Sequence, residues 1–157
     1  MNKKLISIFA VLVIGSCFIG ISYSQDSDEE GDLLFTDVKT SDNEGILNVA
    51  TVSAVISGDG EYIDVAVLNA YPLYKAYIFF NITNTYDTPG EITSIIQNPP
   101  YDATALLIDY NLTEGKIIPS GGRIAGLLTV EILQSALQNH PYYFRIDFDF
   151  NQVVTNT

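Results

Sequence analysis

From residue 46 to residue 150 the chain alternates apolar and polar side chains with a period close to two, the period of a strand with one buried face. The most aromatic run is residues 76–84: Ala76, Ile78, Phe80 and Ile82 fall on one face, and Tyr77, Phe79, Asn81 and Thr83 on the other. The cleanest run comes last. There Tyr142, Phe144, Ile146, Phe148 and Phe150 alternate with Tyr143, Arg145, Asp147 and Asp149. Residues 46–57 predict a further strand with Ala50, Val52, Ala54 and Ile56 together, and residues 62–68 one with Ile63, Val65 and Val67 inward. Gly58-Asp59-Gly60 between them is a turn signal, so the pair reads as a hairpin.

The remaining segments are shorter. Residues 92–97 predict a strand; residues 105–112 predict one with Leu106, Ile108, Tyr110 and Leu112 inward; residues 123–132 predict one with Ile124, Leu128, Val130 and Ile132 inward. A single helical turn is expected at residues 134–139, ended by His140-Pro141. Pro72 fixes its own φ and pushes Tyr71 toward extended geometry, so residues 69–74 form a corner. Seven or eight short strands with almost no helix define an all-β domain, a β-sandwich. Jelly-roll and immunoglobulin-like topologies both fit, and the pattern does not choose between them.

Before this domain the pattern changes twice. Lys3 and Lys4 precede an apolar run over residues 5–21, and Ser22-Tyr23-Ser24 offers small residues where a signal peptidase reads them. Residues 1–24 therefore predict a signal peptide and an extracellular or cell-surface destination. Cys17 lies in a lipobox-like Ile14-Gly15-Ser16-Cys17, which makes lipidation an alternative way to hold the chain at a membrane. Residues 25–45 then read as an acidic leader, a short apolar segment at 33–38 and a turn-rich hinge over 39–45. The apolar segment is either the first strand of the domain or an arm meant for another chain. The sandwich occupies residues 46–152, and 153–157 form a polar tail.

Composition agrees: apolar residues make up 47% of the chain, and Tyr and Phe are plentiful at 10 and 8. The net charge is −12, and with basic residues sparse and scattered a nucleic-acid partner is not expected. Cleavage after Ser24 removes Lys3, Lys4 and Cys17, leaving five basic against 19 acidic residues, no cysteine, and therefore no disulfide.

Little points to catalysis. His140 is the one histidine, no HExxH is present, and no GxSxG surrounds a serine. Asp147 and Asp149 share a face and are the weak candidates for a metal such as calcium; otherwise no metal and no cofactor is expected. Two acceptor patterns for N-glycosylation, Asn81-Ile82-Thr83 and Asn111-Leu112-Thr113, both place the asparagine on the expected wet face.

Three stretches carry a resemblance. They are Asn69-Ala70-Tyr71-Pro72 leading into the strand to Asn84, Ile118-Pro119-Ser120-Gly121-Gly122, and Gln138-Asn139-His140-Pro141-Tyr142-Tyr143-Phe144. With the leader and the short N-terminal segment, the chain resembles the TasA/camelysin-like secreted proteins, whose relatives include archaeal bundling-pilus subunits. The resemblance implies a jelly-roll-like sandwich that polymerises head to tail by donor-strand complementation. Carried over by position, Leu33, Leu34, Phe35 and Val38 are the donor side chains. The expected function is thus a secreted, non-enzymatic filament or biofilm-matrix subunit whose partner is itself. A monomeric glycosylated surface binding module and a secreted hydrolase are the alternatives.

Overall fold

The computed structural model describes residues 32–46, 49–98 and 104–153. The signal-peptide reading, Cys17, most of the acidic leader and the far end of the tail lie outside the described residues. Among the described residues nine strands follow in order: β1 Leu33–Asp42, β2 Thr51–Ile56, β3 Tyr62–Ala70, β4 Lys75–Asn84, β5 Gly90–Asn98, β6 Leu106–Tyr110, β7 Ile117–Ile118, β8 Arg123–Ile132 and β9 His140–Gln152. They form two antiparallel sheets, β1-β4-β8-β6 and β2-β3-β9-β5-β7.

Among the described strands β2 and β3 are the one successive pair in the same sheet; each of the others is followed by a strand of the opposite sheet. The inward residues of both sheets meet in one core. Ile78, Leu128, Val130, Val67 and Ile146 are almost wholly excluded from solvent, as the alternation requires. β4 lies between β1 and β8, and β9 between β3 and β5, so the two runs of clearest alternation are interior strands.

The structure departs from the sequence reading in three places. The hinge expected at 39–45 is shorter, because β1 runs on to Asp42, paired with β4 as far as Ala76. The second strand begins at Thr51 rather than Ile46, since the chain before it folds around the Glu44 carboxylate. The expected helical turn at 134–139 is an irregular loop: Asn139 has φ 56° and donates its N–H to the Ala70 carbonyl, which a continuing helix forbids.

Gly126 was missed as a core position. It occupies an inward site of β8 opposite Phe80, and a Cβ there would lie 2.1 Å from the Phe80 ring. Its missing side chain is the space that the phenylalanine fills.

Candidate functional site: the seat of the first strand and its clasp

β1 is an edge strand, paired along its length with β4 of the same chain. Its imperfect alternation has a physical cause. A bulge lies between Phe35 and Asp37, and the extra residue, Thr36, turns outward to share a hydroxyl hydrogen bond with Thr83 at 2.9 Å. The bulge lets Leu33, Phe35 and Val38 all point toward the core despite their uneven spacing. Leu33 and Phe35 are buried at 2% and 5% exposure, whereas Leu34 and Val38 are half-buried. The Phe35 ring meets Phe80 edge-on at 5.4 Å and Phe148 at 5.3 Å, joining both sheets.

Two glycines shape the seat. At Gly90 an added Cβ would lie 2.9 Å from Leu33 Cδ1. At Gly60, which has φ 82°, it would crowd Leu34 Cβ and the Phe35 carbonyl at 3.2 Å. Gly60 also accepts the Phe35 N–H at 2.8 Å, so the turn of the second sheet holds an edge strand of the first. The open side of β4 is thus covered by β1 of the same chain. Of the four donor side chains read from sequence, the two that lie deepest are Leu33 and Phe35.

At its other end β1 enters a clasp. Asn43 is tied to the corner after β3. Its side-chain oxygen accepts the Lys75 N–H at 2.9 Å, its amide donates to the Leu73 carbonyl at 3.1 Å, and its own N–H reaches the Lys75 carbonyl at 3.1 Å. Glu44 is buried, and its carboxylate accepts the Val49 N–H at 2.6 Å and the Ala50 N–H at 2.9 Å. Burial alone would raise its pKa. The Ala50 N–H, the Tyr71 hydroxyl and the Val49 N–H together outweigh burial and hold it below the ordinary 4.5. The same bond from the other side, with burial, pushes Tyr71 up to about 12. Tyr74 is fully buried, and burial with the nearby Asp42 and Glu44 carboxylates keeps its phenol protonated far into the alkaline range.

The Asn69-Ala70-Tyr71-Pro72 stretch thus acquires a local explanation. Tyr71-Pro72-Leu73-Tyr74 has a Tyr74 N–H to Tyr71 carbonyl bond of 3.1 Å, proline in the second position, and φ 73° at Leu73, the pattern of a type II turn. Glycine ordinarily takes that third position, and a leucine there costs about 1–2 kcal/mol. The corner gives Tyr71 to Glu44 and the Leu73 carbonyl to Asn43, so it fastens the connection between β1 and β2. Nothing in the sequence marked Asn43 or Glu44 for this; a lone amide and a lone acid in a polar turn carry no signal until their partners in the corner, Leu73 and Tyr71, about 30 residues away, are known.

The opposite end has its own fastening. Asn84 is wholly buried, and its amide points at the carbonyls of Thr88, Ile118 and Pro119 at 2.9, 2.9 and 3.1 Å while its oxygen accepts the Tyr86 N–H at 2.8 Å. One side chain thereby holds the loop after β4 to the turn before β8.

The two glycosylation candidates differ. Asn81 faces outward from β4, half-buried, with its amide 3.4 Å from Asp37. Asn111 is exposed, but its side-chain oxygen takes the Leu127 N–H at 2.6 Å, continuing the sheet as a backbone group would.

Asp147 and Asp149 lie on the outer face of β9. Burial raises the Asp147 pKa, opposed by Arg145 and aided by Asp64 and Asp149. Among the described residues no three His, Cys, Asp or Glu side chains are placed to hold a metal ion. His140 opens β9, exposed, with its ring edge-on to Tyr142 at 4.9 Å. Asp147 and Asp149 line a hollow of about 410 Å³ with Tyr62, Ile96 and Phe148, and a separate shallow hollow of about 570 Å³ is lined by Ser53, Val55, Asp64, Ala66, Tyr143 and Arg145 among others. Arg145 pairs with Asp64 at 2.9 Å and stacks over the Tyr62 ring at 3.5 Å.

Fold and site together define a two-sheet, all-β sandwich closed along one edge by its own leading strand. No family model, no curated protein and no solved structure matches the chain.

Proposed function

We propose that the protein is a secreted structural subunit of an extracellular filament, built by exchange of β1 between copies. The observation that carries this is the seat. β1 is an edge strand contributed by the start of the domain, with Leu33 and Phe35 lodged in a groove opened by Gly60 and Gly90. A neighbour's β1 makes the same contacts as the chain's own, so exchange changes only the path of the connection at 43–50. Heterologous exchange that does not close yields a fibre. The signal-peptide pattern and the resemblance to the TasA/camelysin-like proteins support export and polymerisation. In this reading the subunit works by assembly, without catalysis or a cofactor, and any glycan on Asn81 or Asn111 decorates the fibre surface.

The test is electron microscopy of secreted protein with residues 33–38 deleted, beside the intact chain and beside Phe35→Ala. Fibres from the intact chain that the deletion abolishes support the proposal; fibres unchanged by the deletion, or none from the intact chain, defeat it.

A second reading has its own observation: β1 seated within its own chain, together with the hollow beside Tyr143 on the β2-β3-β9 face, fits a monomeric surface module that binds a ligand there. A sedimentation coefficient independent of concentration selects it.

A further inference from the structure

The outer face of the β1-β4-β8-β6 sheet carries one phenylalanine that the fold leaves uncovered. Among the described residues every other phenylalanine is buried or half-buried, while Phe79 is 46% exposed. It lies on β4, an interior strand, with Lys39 of β1 opposite it on one side and Leu127 of β8 on the other. Leu127 is half-buried, so ring and leucine make a small apolar spot in the middle of the sheet.

Asn81 is the next residue on the same face. Side chains two apart on a strand point the same way, and their Cα atoms are about 6.7 Å apart. The row of the ring runs Lys39, Phe79, Leu127 across three strands; the neighbouring row runs Asp37, Asn81, Ala125. Ala125 is exposed and presents only a methyl, which leaves room beside Asn81 on the β8 side. Asn81 also opens the acceptor pattern that Thr83 completes. A sugar linked to its Nδ2 therefore begins next to the ring.

We infer that Asn81 carries an N-linked glycan whose first sugar lies on the Phe79 ring and covers this apolar spot. A pyranose has one face made of C–H groups, and an aromatic ring offers them the negative face of its π system. Lys39 and Asp37 flank the site with a donor and an acceptor for the sugar hydroxyls. Because the sugar is tethered, its effective concentration is high, and a contact too weak to hold a free sugar is occupied. The second acceptor pattern supplies the contrast. Asn111 follows Asp109 where Asn81 follows Phe79, and its side-chain oxygen is held by the Leu127 N–H at 2.6 Å. A glycan there has no ring two residues before it to rest on. The inference rests on the export reading and adds to the filament proposal: this outer face is turned to solvent in the fibre and is not a contact between copies.

The experiment uses the secreted chain purified from the cells that make it. Peptide mass spectrometry reads the occupancy of Asn81 and Asn111. Urea unfolding is then measured for the parent, Asn81→Gln, Phe79→Thr and the double variant, taking the glycosylated fraction wherever Asn81 is present. The same four chains are also made in a host without N-glycosylation. Threonine is β-branched and keeps the strand, and the acceptor pattern stays intact. The expected result is an occupied Asn81, whose loss lowers the urea midpoint by about 0.5 M beside phenylalanine and by less than about 0.1 M beside threonine. The chains made without sugar show no such difference. Nuclear Overhauser contacts between sugar C–H protons and the Phe79 ring are expected in the parent. A secreted chain bare at Asn81, an equal fall in both backgrounds, or the absence of those contacts overturns the inference and leaves export and strand exchange standing. A chain retained inside the cell overturns the export reading and the inference together.

Discussion

Replacing Phe35 with alanine tests whether the first strand is a structural member of its own sandwich. Phe35 is 5% exposed and lies between Phe80 and Phe148, its centroid 5.4 and 5.3 Å from theirs. Its ring buries on the order of 150 Å² or more, worth about 4 kcal/mol at 25 cal/mol per Å². Truncation leaves a cavity bounded by two rigid rings and the floor of the seat, so little of this is recovered by collapse; the expected loss is about 3–5 kcal/mol. Against a total stability of roughly 5–15 kcal/mol, that removes a large part of the margin. In urea, with a slope near 2 kcal/mol per M, the midpoint falls by about 2 M. The assay is equilibrium unfolding of the soluble chain followed by tyrosine fluorescence and far-ultraviolet circular dichroism. Leu34→Ala is the internal control: it lies on the same strand, half-buried, and loses about 1 kcal/mol or less. A Phe35→Ala chain with a midpoint within about 0.5 M of the parent would falsify the seating of β1 in the isolated chain, since no relaxation offsets so large a buried ring. Adding a peptide of residues 32–42 in excess restores part of the loss if the seat accepts a strand from outside, which links this measurement to the filament proposal.

Gly126→Ala places a methyl 2.1 Å from the Phe80 ring and forces that ring from the core, with an expected loss of about 3 kcal/mol and a melting temperature lower by roughly 10 °C. Asn84→Ala leaves the Ile118 carbonyl buried without its amide donor and frees the loop after β4; a loss of about 2–3 kcal/mol is expected, and native-state hydrogen exchange speeds up first at Tyr86, whose N–H loses its acceptor. Glu44 has its pKa lowered in the fold, so its contribution is present above the ordinary 4.5 and is lost as pH falls through the folded value. Acid unfolding of the parent therefore steepens below about pH 4.5, and Glu44→Gln flattens that limb; an unchanged acid limb in the variant counts against the clasp. Tyr71 works in the other direction: raised to about 12, it contributes stability below its ordinary 10.0 that fades as the solution passes from pH 10 to 12. Tyr71→Phe removes that alkaline step in a pH titration of the melting temperature.

The strands themselves were legible from sequence because a strand's faces are a local property. Tyr142 to Phe150 alternates residue by residue, and any sheet that buries one face of it must bury Tyr142, Phe144, Ile146 and Phe148, as this one does. The same holds for Ala76, Ile78, Phe80 and Ile82 in β4, and for the β2–β3 hairpin, whose five-residue turn has Gly58-Asp59-Gly60 at its centre. The irregular stretches were read less well. β1 looked broken because a bulge resets its phase, and a bulge is set by the neighbouring strand rather than by the sequence that contains it.

What the amino-acid order settled by itself is the class of the molecule: an all-β sandwich with known inward faces, an acidic surface and no cysteine in its body. What only the folded chain decided is every relation between distant segments. Leu33 pairs with Asn84, Asn43 with Leu73 and Lys75, Glu44 with Tyr71, and Gly126 with Phe80. Each joins residues tens of positions apart, where the pairing energy depends on which edge a strand finds and not on the strand's own pattern. That is why the sequence left residues 33–38 as either a first strand or an arm, and the tertiary structure alone showed them paired with β4.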